Sequence, residues 1–121
     1  MLQESGEMYL ETILRLKEKL GNVRSIDIVE ELNYSKSSVS RAVNILKAEG
    51  YINIDKDGRI TFTSVGEEYS RAIFLRHEVL TSFLTTLGVS EGVAEDDACR
   101  IEHVISNETL DCIKEFLANK N

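Results

Sequence analysis

Hydrophobic residues recur along the 121-residue chain with two different periods, and the change of period locates the secondary structure. Between residues 51 and 63 the period is two, with a turn signal at Asp57-Gly58, which is typical of a β-hairpin. Elsewhere a spacing of three to four residues predicts amphipathic helices. These helices are expected over residues 4–20, 25–32, 35–49, 65–87 and 90–105, and from Ser106 onwards. The predicted order is α-α-α-β-β-α-α-α.

The starts of the predicted helices coincide with serines. A serine hydroxyl at an N-cap accepts a hydrogen bond from one of the free N–H groups of the first turn. The expected starts are Ser25, Ser35 or Ser37, Ser64, Ser90 and Ser106.

Three helices followed by a hairpin are typical of a winged helix-turn-helix, in which the third helix enters the major groove and the wing lies against the DNA backbone. We therefore predict a mostly α fold with a small β-hairpin wing, formed by a winged helix-turn-helix domain over residues 1–63 and a helical domain over residues 64–121. The absence of proline supports this, because sandwiches and barrels use many Gly/Pro turns. Winged helices also serve as protein-interaction modules, so this pattern alone leaves DNA binding open.

Targeting signals and cysteine usage predict a cytoplasmic protein with no membrane partner. The N-terminal residues carry charges throughout and contain no apolar signal-peptide core, and no apolar run reaches membrane-spanning length. Cys99 and Cys112 lie thirteen residues apart without a CxxC motif, which is not a disulfide framework. We assign Cys112 no role beyond packing.

The formal charge of −7 argues against a nucleic-acid partner only when it is taken as a single number. Residues 1–63 carry a net charge of −1 and residues 64–121 a net charge of −6, while segment 35–47 holds three basic residues and no acid. The alternative is that these basic residues simply lie on a solvated helix face and have no role in binding. The predicted DNA-binding residues are Lys36, Ser37, Ser38, Ser40, Arg41, Lys47, Lys56 and Arg59. Arg41 suits a guanine edge, and the other basic side chains suit phosphates.

A second constellation of functional side chains lies in the acidic half. Cys99, Glu102 and His103 occupy positions i, i+3 and i+4, so one helix face presents a thiolate, a carboxylate and an imidazole, which is a metal-site spacing. The alternative is a half-buried cysteine beside an ordinary surface Glu-His pair. Met8 and Glu11 on the first helix and His77 on the fourth support a metal site, although a lone Met or His is more often structural.

The sequence resembles the diphtheria toxin repressor family of metal-dependent transcriptional regulators, which includes the iron-dependent and manganese-transport regulators. The stretches that carry the resemblance are EMYLETI at 7–13, SSVSRAVNILKAEGY at 37–51, TSVGEEYS at 63–70, RHEVLTSFL at 76–84 and DDACRIEHVIS at 96–106. The resemblance implies a homodimer with a metal-binding and dimerisation domain after the winged helix. Larger members carry a third, SH3-like domain, for which this chain leaves no room.

The resemblance also implies the ligands. Met8, Cys99, Glu102 and His103 match the primary ligands of the iron-type members, His77 matches an ancillary-site ligand, and Glu11 matches a carboxylate of the manganese-type members. Manganese-type members have an aspartate at Met8 and a glutamate at Cys99. Iron-type members have a histidine at Glu95 and a glutamate at Thr81, so Glu95 is a candidate substitute oxygen donor.

Ligand softness favours Fe²⁺ over Mn²⁺, because thioether and thiolate suit a later ion than manganese, which prefers oxygen. The sequence thus predicts an Fe²⁺-activated, homodimeric repressor of metal-uptake genes on palindromic double-stranded operator DNA, with Mn²⁺ as the alternative activator and other divalent metals binding in vitro. One rival is a winged-helix regulator that senses a non-metal signal. The other is a metalloenzyme, which is disfavoured because the chain holds no glycine-rich phosphate loop and no HExxH motif.

Overall fold

The computed structural model describes residues 4–119 and confirms a mostly helical chain with one small hairpin. Its elements are α1 Glu4–Leu20, α2 Ser25–Leu32, α3 Lys36–Ala48, β1 Ile52–Ile54, β2 Ile60–Phe62, α4 Ser64–Thr86, α5 Glu91–Ile101 and α6 Asn107–Asn119. The chain forms two compact units, which divide within α4 between Arg71 and Ala72.

The first unit is built around a single hydrophobic core beneath α1, α2, α3 and the hairpin. The side chains fully or almost fully buried there are Tyr9, Leu10, Ile13, Leu16, Val23, Ile28, Val39, Val43, Leu46, Ile52 and Ile60. They come from the inner face of each helix and from one face of the hairpin, as the two hydrophobic periods predict. Each fully buried Leu or Ile contributes about 1.5–3 kcal/mol relative to an exposed one, so this core holds α3 and the wing on a common support.

The wing is an antiparallel hairpin in which Ile52 pairs with Phe62 and Ile54 with Ile60. A short bridge extends it, because the N–H of Ile60 donates to the carbonyl of Val23 at 2.7 Å. The hairpin turns at Gly58, whose φ of +81° lies in the left-handed region that glycine adopts without strain.

The structure changes several of the predicted helix ends. At α4, the hydroxyl that accepts from the first turn is that of Thr63 and not that of Ser64, which is the first residue of the helix. Ser90 is the N-cap of α5, but its side chain makes no cap hydrogen bond.

Ser35 is the N-cap of α3, its hydroxyl accepting from the N–H of Ser38 at 3.1 Å, as predicted. The N-cap of α2, however, is Arg24 and not Ser25. The carboxylate of Asp27 accepts from the N–H of Arg24 at 2.9 Å, which is the contact that the third residue of a helix makes back to its N-cap. Helix α5 ends at Ile101, four residues before the predicted end, and continues into a turn.

The base of the wing lies unusually close to the start of α4. A Cβ placed on Gly66 would lie 1.8 Å from the main-chain oxygen of Tyr51, so only glycine fits there. The hydroxyl of Thr63 connects the two segments, since it donates to the carbonyl of Gly50 at 2.7 Å and accepts from the N–H of Gly66 at 3.0 Å.

The second unit has a smaller core, in which α4, α5 and α6 contribute Leu80, Ala98 and Leu110. The helical spacing of hydrophobic residues also predicts Leu87 and Phe116 on inward faces. Both are exposed instead, Leu87 at 60% and Phe116 at 45%, although the ring of Phe116 packs edge-on against Phe83 at 5.7 Å. No helix in the described part of the chain is long and apolar enough to cross a membrane.

Candidate metal centre and DNA-binding surface

A fully buried carboxylate, that of Glu102, lies between two imidazoles in the second unit. Its Oε2 lies 2.9 Å from Nδ1 of His77, which belongs to the middle of α4. Its Oε1 lies 3.2 Å from Nε2 of His103, the next residue along the chain. Two of the predicted metal ligands, His77 and His103, therefore each contact a third, Glu102, and His77 comes from a separate helix.

The backbone at the end of α5 keeps Cys99 and Glu102 at helical spacing, although the helix ends at Ile101. Glu102 is the C-cap of α5 with φ −58° and ψ −24°, and its N–H still donates to the carbonyl of Ala98 at 2.9 Å. The helical path therefore continues for one more residue. Cys99, half-buried and three residues earlier, remains on the same helix face as Glu102, as the i, i+3 spacing requires.

The donor set around Glu102 fits a divalent cation. Its Oε1 is buried yet accepts no hydrogen bond from any residue that the structure describes, since the approach of His103 is not aligned for one. A buried carboxylate in this state is costly unless a positive charge offsets it. Carboxylate and imidazole are ligands that transition metals accept, so a cation here would satisfy the orphaned oxygen.

The remaining predicted ligands are distributed over both units. In the second unit, Glu95 lies on α5 and is exposed. In the first unit, Met8 and Glu11 lie on α1. The sulfur of Met8 accepts a weak hydrogen bond from the hydroxyl of Tyr34 at 3.9 Å, and Glu11, only 3% exposed, pairs with Arg15 at 3.5 Å.

Two polar contacts near these ligands were not predicted from the sequence. The guanidinium of Arg76 donates to the main-chain carbonyl of Glu102 at 2.7 Å. The hydroxyl of Tyr69 donates to the buried carboxylate of Glu7 at 2.7 Å. Each joins residues far apart in the chain, and nothing in the local spacing signals either. The only sequence hint is the position of Glu7 and Arg76, each immediately before a predicted ligand.

Burial and a neighbouring phenol affect the residue that follows Met8. Burial, followed by the influence of Tyr34, raises the pKa of the Tyr9 phenol above its ordinary value. The rings of Tyr9 and Tyr34 meet edge to face at 6.3 Å. The Tyr9 phenol therefore stays neutral at physiological pH.

The predicted DNA-binding side chains are exposed on α3 and on the wing. Val39 and Val43 face the core, which leaves the opposite face of α3 to solvent. The exposed residues on these two elements include Lys36, Ser37, Ser38, Ser40, Arg41, Lys47, Lys56 and Arg59. The Ser38 hydroxyl also belongs to the α3 cap, because it accepts from that of Ser35 at 2.9 Å.

The tip of the wing is organised by one carboxylate. Oδ1 of Asp55 accepts from the N–H of Asp57 at 2.8 Å and from that of Arg59 at 2.9 Å. The Arg59 hydrogen bond is the main cause that lowers the pKa of Asp55 below its ordinary value. The guanidinium of Arg24 adds a second restraint by donating to the carbonyl of Asp57 at 3.1 Å. These hydrogen bonds together fix the backbone that carries Lys56 and Arg59.

Two family models match nearly the whole chain. The model described as the iron dependent repressor, N-terminal DNA binding domain, matches residues 1–60, and the iron dependent repressor, metal binding and dimerisation domain, matches residues 63–121. The resemblance inferred from the sequence motifs is thereby confirmed.

Curated relatives are similar over almost their full length. An uncharacterised HTH-type transcriptional regulator of Methanocaldococcus jannaschii is 33% identical over 118 residues, covering 96% of this chain and 94% of its own. The HTH-type transcriptional regulator MntR of Bacillus subtilis is 34% identical over 117 residues, covering 97% of this chain and 82% of its own.

Solved structures share the fold, and the chain spans about half of their length. A manganese-dependent transcriptional repressor in complex with manganese has a TM-score of 0.85 at 26% identity, covering 93% of this chain and 52% of its own. The manganese regulator SloR has a TM-score of 0.81 at 24% identity, covering 93% and 53%. With both domain models matched and relatives above 30% identity, the chain belongs to the iron dependent repressor family of metal-dependent, DNA-binding transcriptional regulators, which are not enzymes.

Proposed function

We propose that this repressor is activated by Fe²⁺ held by Glu102, His103 and His77 together with Cys99. The observation that supports the proposal is the buried Glu102 carboxylate between two imidazoles, with one oxygen that accepts no hydrogen bond from the described residues. Family resemblance adds Met8 and Glu11, which occupy adjacent turns of α1, and leaves Glu95 as a peripheral oxygen donor. The bound cation supplies positive charge and fixed coordination.

The choice of iron over manganese depends on the sulfur ligands. Mn²⁺ prefers oxygen donors, whereas a thiolate and a thioether favour a later, softer ion. The similar solved structure of a manganese-dependent transcriptional repressor makes Mn²⁺ the second candidate. The Cys99→Ser variant discriminates between the two: we expect it to lose more affinity for Fe²⁺ than for Mn²⁺ in anaerobic titrations, because only iron benefits appreciably from the thiolate. An equal loss for both ions would remove the argument for iron.

The proposed target is palindromic double-stranded operator DNA upstream of metal-uptake genes, read by a homodimer in the cytoplasm. The eight exposed residues on α3 and the wing supply the contacts: Arg41 reads a base edge, and the lysines and Arg59 contact phosphates. In a two-fold dimer, successive major grooves are read by helices about 34 Å apart. Sharing one cation among ligands distant in sequence restricts the dimer to few arrangements, and we propose that these include the DNA-competent one.

The decisive experiment measures operator binding in Fe²⁺ and Mn²⁺ titrations under anaerobic conditions. We expect binding to require divalent cation and to disappear with chelator. A shift from 1:99 to 99:1 between inactive and active arrangements requires a preference of about 5.5 kcal/mol for the active one. Equally tight binding by the metal-free protein would refute the proposal.

A variant series separates metal sensing from a non-metal signal. Combined substitution of Cys99, Glu102 and His103 is expected to abolish metal-dependent DNA binding. The matched control is Asp96→Asn, which removes an exposed acid from the same helix α5 and is expected to behave as wild type. Unchanged operator binding by the triple variant would indicate that the repressor senses something other than metal.

A further inference from the structure

Two adjacent residues of α4 hold the same residue of α5 at two different points. Arg76 donates to the main-chain carbonyl of Glu102 at 2.7 Å. His77 contacts the carboxylate of Glu102 at 2.9 Å. Both contacts are within the second unit and span about 25 residues of sequence. The end of α5 is therefore restrained through its backbone as well as through its side chain.

The carbonyl that Arg76 contacts belongs to the C-terminal end of a helix. Glu102 is the C-cap of α5, and the last carbonyls of a helix have no partner within the helix. The negative end of the helix dipole lies at the same place and favours a cation. A guanidinium that donates to this carbonyl satisfies the free acceptor and complements the dipole.

Arginine also suits this position because it does not compete with the proposed ligands. It carries only donors and stays protonated, so it does not coordinate a cation. The carboxylate of Glu102 therefore remains directed between His77 and His103, while the main chain behind it is held by Arg76.

We propose that Arg76 is a positioning residue of the metal centre, which holds the backbone at Glu102 so that its carboxylate is preorganised for the cation. The proposal rests on the metal site described above under the proposed function. Loss of an outer partner of a metal ligand typically lowers metal affinity by about 10–100-fold. We expect a loss of that size when Arg76 is replaced.

The test compares Arg76→Met and Arg76→Lys with Arg71→Met, a matched control on the same helix whose arginine is 60% exposed and pairs with Glu67. Co²⁺ serves as the probe, with affinity measured by titration and ligand geometry by its visible absorption spectrum. We expect Arg76→Met to lower affinity about tenfold or more and to alter the spectrum. Arg76→Lys, which can still donate to a carbonyl, should recover part of the affinity, and Arg71→Met should match wild type.

A double-mutant cycle shows whether Arg76 acts through Glu102. In a Glu102→Gln background, a neutral amide already replaces the carboxylate. Arg76→Met should then cause little further loss of Co²⁺ affinity. The same full loss in that background, or wild-type affinity in Arg76→Met, would overturn the proposal. So would a change confined to the thermal unfolding of the metal-free protein. If Arg76→Met does not fold, Arg76→Lys alone provides the test. Wild-type Co²⁺ affinity and spectrum in Arg76→Lys would support a hydrogen-bond donor at this position. Absence of Co²⁺ binding by a folded Arg76→Lys would contradict it.

Failure of the metal site itself gives a different result. In that case wild type binds no Co²⁺, or Glu102→Gln binds it as tightly as wild type. Failure of the Arg76 proposal alone leaves a clear difference between wild type and Glu102→Gln, with Arg76→Met equal to wild type.

Discussion

The hydroxyl of Tyr69 donates a 2.7 Å hydrogen bond to the buried carboxylate of Glu7, and thereby joins α4 to α1 within the first unit. The ring of Tyr69 also packs edge to face against Tyr51 at the base of the wing, with centroids 5.5 Å apart. One side chain thus contacts the helix that carries Met8 and the residue that leads into β1. This contact adds to the hydrophobic core that joins the wing to α1.

Removal of the Tyr69 hydroxyl should destabilise the first unit. Tyr69→Phe keeps the ring packing and removes one hydrogen bond to a buried carboxylate, which we expect to lower the free energy of unfolding by about 1–2 kcal/mol. Urea unfolding measures this loss. Tyr51→Phe is the matched control, since its hydroxyl makes no hydrogen bond among the described residues. Equal stability of Tyr69→Phe and wild type would show that the Glu7 contact contributes nothing.

The close approach of α4 to the wing makes Gly66 intolerant of any side chain. Gly66→Ala would place a methyl group 1.8 Å from the oxygen of Tyr51, which is itself fixed because it accepts from the N–H of Thr63 at 3.1 Å. We expect a loss of at least about 3 kcal/mol in the free energy of unfolding. Gly92→Ala is the control, because its added methyl meets nothing within 4 Å in α5 and should stabilise by up to about 1 kcal/mol. A smaller effect at Gly66 than at Gly92 would contradict the close packing.

The sequence predicts those features that depend on local chemistry. The cap at Ser35 and the turn at Asp57-Gly58 are each specified within a few residues, and both are present in the structure. The helical path continues past Ile101 to Glu102, so the i, i+3 spacing keeps Cys99 and Glu102 on one face.

Features that require tertiary packing were not predictable in the same way. The contact of Arg76 with Glu102 joins two helices, and the partner of a backbone carbonyl leaves no trace in residue spacing. Leu87 fits the helical period of α4 yet is exposed, because periodicity identifies a face without showing what covers it. At α2, both Arg24 and Ser25 stand at the predicted start, and only the structure shows that Arg24 is the N-cap, with its N–H bound by Asp27.

The wing tip should loosen in acid. Because hydrogen bonds from Arg59 and Asp57 lower the pKa of Asp55 below the ordinary 3.8, its charged form favours the folded loop. This contribution is fully present above that value and is lost as the pH falls through the lowered folded pKa. An NMR titration should therefore show an acid transition of the Asp57 and Arg59 amides with its midpoint below the ordinary 3.8.

Two variants identify the group responsible for that transition. Asp55→Asn should remove the acid transition from both amides, because an amide side chain does not titrate. Asp57→Asn should retain it. Persistence of the transition in Asp55→Asn would assign it to another group.

The two classes of predicted DNA contact should respond differently to salt and sequence. Lys56→Ala leaves one phosphate without its cation, so affinity should fall similarly for all sequences and the slope of log affinity against log salt should decrease by about 0.9. Arg41→Ala removes a base contact and should weaken the free energy of operator binding by about 1–3 kcal/mol. Most of this loss should appear as a weaker sequence preference at one base pair. Fluorescence anisotropy with operator and scrambled duplexes at several salt concentrations measures both effects. Lys114→Ala, on α6 of the second unit, serves as the control for simple loss of positive charge. An Arg41→Ala variant that weakens all duplexes equally would place Arg41 on the phosphate backbone instead of a base edge.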